Sequence, residues 1–160
     1  MDISFSLNDI PQGWWDAWDQ IWHLLLAFAL AVPIGWDREQ RDLSAGLRTF
    51  PMVAIVACAI LLVGQAVAQG NAEAEARALY GVVTGIGFLG AGAILKEGTH
   101  VIGVTTAASL WATAAMGLAV AADQFVIAIF LAATTFVLLL AKRETTDETN
   151  HDSREPAKKP

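Results

Sequence analysis

The residues equipped for chemistry fall into two short polar blocks. The first is Asp37-Arg38-Glu39-Gln40-Arg41-Asp42, followed closely by Gly46-Leu47-Arg48-Thr49. The second is Lys96-Glu97-Gly98-Thr99-His100, leading to Gly103, Thr105 and Thr106. Carboxylates such as Asp37 and Glu39 are the oxygen donors that a hard cation takes, and they are the metal candidates of the sequence. Arginines beside them suit ion pairing. Thr49, Thr105, Thr106 and Trp111 complete the candidate set. No enzyme is expected. There is no His pair at metal-ligand spacing, no G-x-S-x-G and no P-loop, and Ser109 lies in an apolar run with no His close in sequence.

These blocks are held by elements of unusual composition. The chain has 160 residues, 55% hydrophobic and 16% charged, whereas a soluble domain carries about a quarter charged residues. Five apolar runs stand out: Ile21–Trp36, Phe50–Ala68, Ala78–Leu95, Val104–Ala122 and Phe125–Ala141. A spanning helix needs about 20 apolar residues. Four runs meet that, and Trp14–Gln20 extends the first into the headgroup region. A soluble helix keeps one solvated face, and Phe125–Ala141 has none. The expected fold is all-α: a membrane bundle of about five transmembrane helices.

Lys and Arg set the orientation. Arg38, Arg41, Arg48, Lys96, Lys142, Arg143, Arg154, Lys158 and Lys159 share one side, against Arg77 alone on the other. The N-terminus is therefore expected outside and the C-terminus in the cytoplasm. No basic residue precedes the first apolar run, so a signal peptide is not expected. Residues 1–20 read as an outer, Trp-rich interfacial segment, with Trp14, Trp18 and Trp22 along one helix side. Residues 21–143 form the membrane domain. Residues 144–160 read as a disordered cytoplasmic tail. Cys58 is single and mid-span, a small packing residue that cannot form an intrachain disulfide. Net charge of −6 argues against nucleic acid as a partner.

Both polar blocks thus share the cytoplasmic face. Ile21–Trp36 covers about 24 Å at about 1.5 Å per residue, against a hydrocarbon core of about 30 Å. Asp37 and Arg38 are therefore drawn toward the apolar slab, with Pro33 able to bend the helix there. Two readings follow. One is an ordinary charged boundary with snorkelling arginines. The other is an interior cluster of Asp37, Arg38, Glu39 and Arg48, since embedded charges face inward and pair. Thr105 and Thr106 either cap the fourth helix or contact a ligand. Lys96 and His100 read as topology and solvation residues.

Packing is expected to centre on the third and fourth spans. Gly81, Gly85 and Gly92 lie within about 40° on a helical wheel, with Gly87 and Gly90 opposite. Ala108, Ala112, Ala115 and Ala119 form a matching stripe on the fourth. Small residues let membrane helices approach closely. Gly85-Ile-Gly87-Phe-Leu-Gly90 also matches G-x-G-x-x-G, but inside an unbroken apolar run it has no strand before it and no route to a phosphate.

At these residues the chain resembles the MgtC/SapB family of bacterial inner-membrane proteins. Gly35-Trp36-Asp37-Arg38-Glu39 resembles the family's G-x-E-R-E, with Asp37 in place of Glu. Ala45-Gly46-Leu47-Arg48-Thr49 is the second block. Gly85–Gly92 followed by Gly103-Val104-Thr105-Thr106-Ala107-Ala108 and Leu110-Trp111 is the third. The resemblance covers roughly residues 20–141. It implies a plasma-membrane protein linked to growth under magnesium limitation and, in some pathogens, to survival inside host cells. Well-known members carry a cytoplasmic C-terminal domain and resemble regulators, with the membrane ATP synthase proposed as a target. This chain stops about 20 residues after its last span, so roles of that domain are not carried over.

Two functions compete, with plain membrane scaffolding without a ligand as a third. The first is a regulator that binds a membrane protein within the lipid bilayer, and it needs no cofactor. The second is an ion transporter or channel, with magnesium as ligand or cargo near Asp37 and Glu39. That reading needs a homo-oligomer, at its simplest a dimer. An ion path normally shows ionisable residues near the midplane, and the spans offer only Gln65, Thr84, Ser109, Thr113, Thr134 and Thr135.

Overall fold

The computed structural model describes residues 12–40, 45–97 and 100–152. Five helices follow one another: α1 (Gln12–Glu39), α2 (Thr49–Ala68), α3 (Ala72–Ala93), α4 (Val104–Ala121) and α5 (Phe125–Asp152). Between α3 and α4 lies an antiparallel hairpin of β1 (Leu95–Glu97) and β2 (His100–Ile102), with Leu95 opposite Ile102. Four helices are long and apolar enough to cross a membrane: Ala17–Glu39 within α1, α2, α3 and α4. The apolar stretch of α5 is the shorter Phe125–Ala141. The chain is a polytopic helical membrane protein.

Short reversals join the helices, and their residues explain where each ends. Gln69 and Gly70 adopt positive φ (49° and 81°), which turns the chain out of α2. Asn71 then caps α3, its side chain accepting from the amides of Glu73 and Ala74 at 3.0 and 3.3 Å. Glu73 and Glu75 in the first turn of α3 suit the positive end of the helix dipole. Gly103, at φ 85°, opens α4. Its Cα lies so close to the Ala93 carbonyl that a side chain would collide with it. Trp14–Gln20 continue α1 as one helix, and Pro33 sits inside it. Residues 1–11 and 153–160 fall outside the described residues, and α5 continues to Asp152, into the segment expected to be a disordered tail.

The core sits on α4, which packs against all four other helices. The most apolar window of α4 is 61% buried and that of α3 only 11%. This corrects the expectation of a core shared by the third and fourth spans. Ala27 and Ala31 of α1, Ala54, Cys58 and Leu61 of α2, and Met116 and Val120 of α4 form the main apolar cluster. Helix α4 can occupy the centre because its inward side chains are small. Gly117 lets it rest directly on the α2 backbone at Ala54.

The glycines of α3 play a different part from the one expected. Its buried residues are Val82, Ile86 and Gly90, and a Cβ on Gly90 would stand 3.9 Å from Ala107 of α4. Gly81, Gly85, Gly87 and Gly92 have nothing within 4 Å of an added Cβ. The alanine stripe of α4 also divides: Ala108 is exposed, Ala112 and Ala115 half-buried and Ala119 buried. Helical periodicity placed these residues on shared faces correctly, but α3 lies at the edge of the bundle and turns most of its glycines outward.

Candidate functional site

One end of the bundle gathers the C-terminal turn of α1, the α1–α2 connection, the hairpin and the start of α4. Gly35 makes the first junction. A Cβ there would stand 3.0 Å from the Leu47 Cα and 3.3 Å from the Gly46 carbonyl, so only glycine lets the connection lie on α1. Glu39 fastens it, its Oε2 accepting from the Leu47 amide at 3.0 Å. The Gly46 carbonyl accepts from the amides of Thr49 and Phe50 at 3.0 and 3.2 Å, starting α2. Beneath lies a second apolar cluster of Ile34, Ala45, Phe50, Leu110 and Leu139. It draws residues from α1, α2, α4 and α5, and so fixes those helix ends relative to one another.

On this support sits a buried polar contact. The Arg38 guanidinium donates to the Thr106 hydroxyl, joining the end of α1 to the first turn of α4. Arg38 is 5% exposed and Asp37 7%. Asp37 also lines a cavity of about 400 Å³ between α1 and α5, with Val32, Pro33, Trp36, Gln40, Phe136 and Leu140. Below Thr106, Ser109 donates to the Thr106 carbonyl at 2.9 Å and Thr113 to the Ser109 carbonyl at 2.8 Å. These hydroxyl protons are committed to their own helix.

The two readings of the charged cluster therefore divide between residues. Asp37 and Arg38 turn inward, as the interior reading expects. Glu39 and Arg48 are exposed, as at a boundary. Residues two apart on a helix point about 200° apart. Asp37 accordingly faces the α1–α5 cavity while Glu39 reaches the Leu47 amide. Among the described residues no group of three or more His, Cys, Asp or Glu comes together. Thr106 binds Arg38 rather than capping α4, whose N-cap is Gly103 with no side-chain cap bond. Thr105 and Thr49 are half-buried, and Trp111 lies 48% exposed on the flank of α4. Arg41 and Asp42 fall outside the described residues.

What sequence reasoning missed lies mostly at the opposite end, with the α2–α3 and α4–α5 turns. His23 of α1 is buried there and meets Asp123 of the α4–α5 turn, 100 residues away. No local pattern links them. A histidine inside an otherwise apolar run was the available signal. Gly117 went unremarked because the packing reading of α4 rested on its alanine stripe.

The first two motif blocks, Gly35 to Glu39 on α1 and Ala45 to Thr49 leading into α2, thus meet the Gly103–Thr106 part of the third at the start of α4, while its Gly85–Gly92 part lies on the edge helix α3. Comparison with known proteins finds the same region. The family model described as MgtC family matches residues 24–147. Protein MgtC of Salmonella typhimurium is 41% identical over 118 residues, covering 74% of this chain and 49% of the relative. Protein MgtC of Brucella abortus is 44% identical over 91 residues, covering 57% of this chain and 37% of the relative. An uncharacterized protein of Synechocystis is 36% identical over 133 residues, covering 83% and 56%. The chain spans about half the length of the curated relatives it matches, or less. No solved structure matches it.

Proposed function

The chain belongs to the MgtC family, and from that premise we propose that it is a regulator acting through a membrane-protein partner in the bacterial plasma membrane. One observation carries the proposal. Between its two polar ends the bundle is filled by apolar side chains, including Leu61, Cys58, Met116, Leu118 and Val120. The buried hydroxyls of Ser109 and Thr113 are bonded to their own helix. Such an interior favours packing over conduction, because an ion in transit needs polar groups in place of its water. The Lys and Arg bias supports a cytoplasmic hairpin end, and adaptation to magnesium limitation is the process that the resemblance suggests.

The edge helix supports a partner within the membrane. Gly81 and Gly85 line an open apolar groove of about 370 Å³ between α2 and α3, with Met52, Val56, Ile60 and Leu89 along its walls. Phe88, 81% exposed, and Tyr80, 71% exposed, also stand on α3. A partner helix can approach closely over glycine, and the membrane ATP synthase is the candidate that the resemblance suggests. A photo-crosslinking residue at Phe88, activated in native membranes, should yield a discrete adduct with another membrane protein. Adducts with lipid alone would count against the proposal. The transporter reading draws on Asp37 in the α1–α5 cavity, and would need a path from there through the apolar middle.

A further inference from the structure

At the end of the bundle opposite the hairpin, a buried imidazole ties α1 to the α4–α5 turn. His23 is 3% exposed. Its Nδ1 lies 2.7 Å from the backbone carbonyl oxygen of Asp19, and its Nε2 lies 2.9 Å from the Asp123 carboxylate. The Phe125 ring flanks it with centroids 5.8 Å apart. Asp123 holds its place through a positive φ of 58° in a tight turn.

Both ring nitrogens therefore face acceptors. A carbonyl oxygen carries no proton, so Nδ1 must be the donor to Asp19. A neutral imidazole has only one N–H. With that proton on Nδ1, the bare Nε2 would meet a carboxylate oxygen lone pair to lone pair. The contact closes as a hydrogen bond when Nε2 carries a second proton, which makes the ring an imidazolium. We propose that His23 and Asp123 form a proton-binding site. The bound proton holds α1 against the α4–α5 turn, and its loss releases that tie.

The charged groups acting on the ring are Asp19 from its own helix and Asp123 from the α4–α5 turn, while α5 contributes the apolar Phe125. The Asp19 carboxylate stands 3.7 Å from Nδ1. Its side chain is 70% exposed and that of Asp123 73%, so protons from water at this face reach the buried ring. The sign is fixed by the geometry. The tie exists while the ring is an imidazolium. It is lost as pH rises and the ring gives up its second proton. The partner-binding bundle would thus loosen at one end with rising pH. This rests on the chain being a folded membrane bundle, and not on the identity of any partner.

The test uses the full chain purified in detergent. Nitrogen-15 histidine spectra at pH 6 should include a ring with both nitrogens protonated that is absent from His23→Gln. The melting temperature should fall by about 3 °C or more between pH 6 and pH 9. Asp123→Asn keeps the shape of the acceptor, and its amide can donate to a bare Nε2, so this variant should lose the pH dependence while still folding. It carries the test if His23→Gln does not fold. A His23 ring with one proton throughout pH 5–8, or an Asp123→Asn profile that falls as the parent's does, would overturn the proposal.

Discussion

Gly117→Ala is expected to destabilise the folded chain by about 3 kcal/mol, the upper part of the range for overpacking. A methyl group there would fall well inside the contact distance of the Ala54 carbonyl oxygen, and 3.1 and 3.2 Å from the Ala54 C and Cα. These are backbone atoms of α2, so no side chain can rotate away. The two helices would have to part, and α4 is the helix that every other one packs against. Gly85→Ala provides the contrast. It meets nothing within 4 Å, and alanine is the better helix former by up to about 1 kcal/mol. Unfolding of the two variants in detergent should show a large loss for the first and none for the second. Equal losses would return the centre of the bundle to α3.

Arg38→Leu is expected to cost about 3 kcal/mol. The guanidinium is buried, donates to Thr106 across the α1–α4 junction, and neighbours the buried Asp37 in the chain. Leucine would leave the Thr106 hydroxyl and the Asp37 carboxylate in a site without that positive charge. Thr106→Val keeps the shape of its side chain and removes only the acceptor, so it should cost about 2 kcal/mol, the range for a hydrogen bond to a charged group. Because the two residues share one contact, the double variant should lose less than the sum of the single losses, by about 1 kcal/mol. Additive losses would mean that Arg38 and Thr106 do not act together. Arg38→Lys should recover only part of the stability, since an ammonium does not reproduce the planar fork.

The spans and the gathering of polar blocks at one end were both legible in the sequence. Apolar run length and the placement of Lys and Arg carry that information directly. The choice of packing glycines was not legible. Periodicity shows that Gly81, Gly85 and Gly92 share a face, but a single helix does not reveal which face has a neighbour. The close approaches instead fall at Gly35, Gly103 and Gly117, where the added Cβ would meet backbone of another segment. The charged cluster was half legible for a similar reason. A short first span draws Asp37 and Arg38 inward. Whether Glu39 joins them depends on the α1–α2 connection, which brings the Leu47 amide within its reach. His23 and Asp123 meet only because α1 and the α4–α5 turn come together at the same end.

The proposal that this bundle regulates a partner instead of carrying ions is tested most directly by flux. The purified chain would be sealed into liposomes with a magnesium-sensing dye inside, and a magnesium gradient applied, with sodium and potassium gradients measured in parallel. Flux no greater than in protein-free liposomes is expected for all three ions. Protein-dependent magnesium entry that disappears in Asp37→Asn would contradict the proposal.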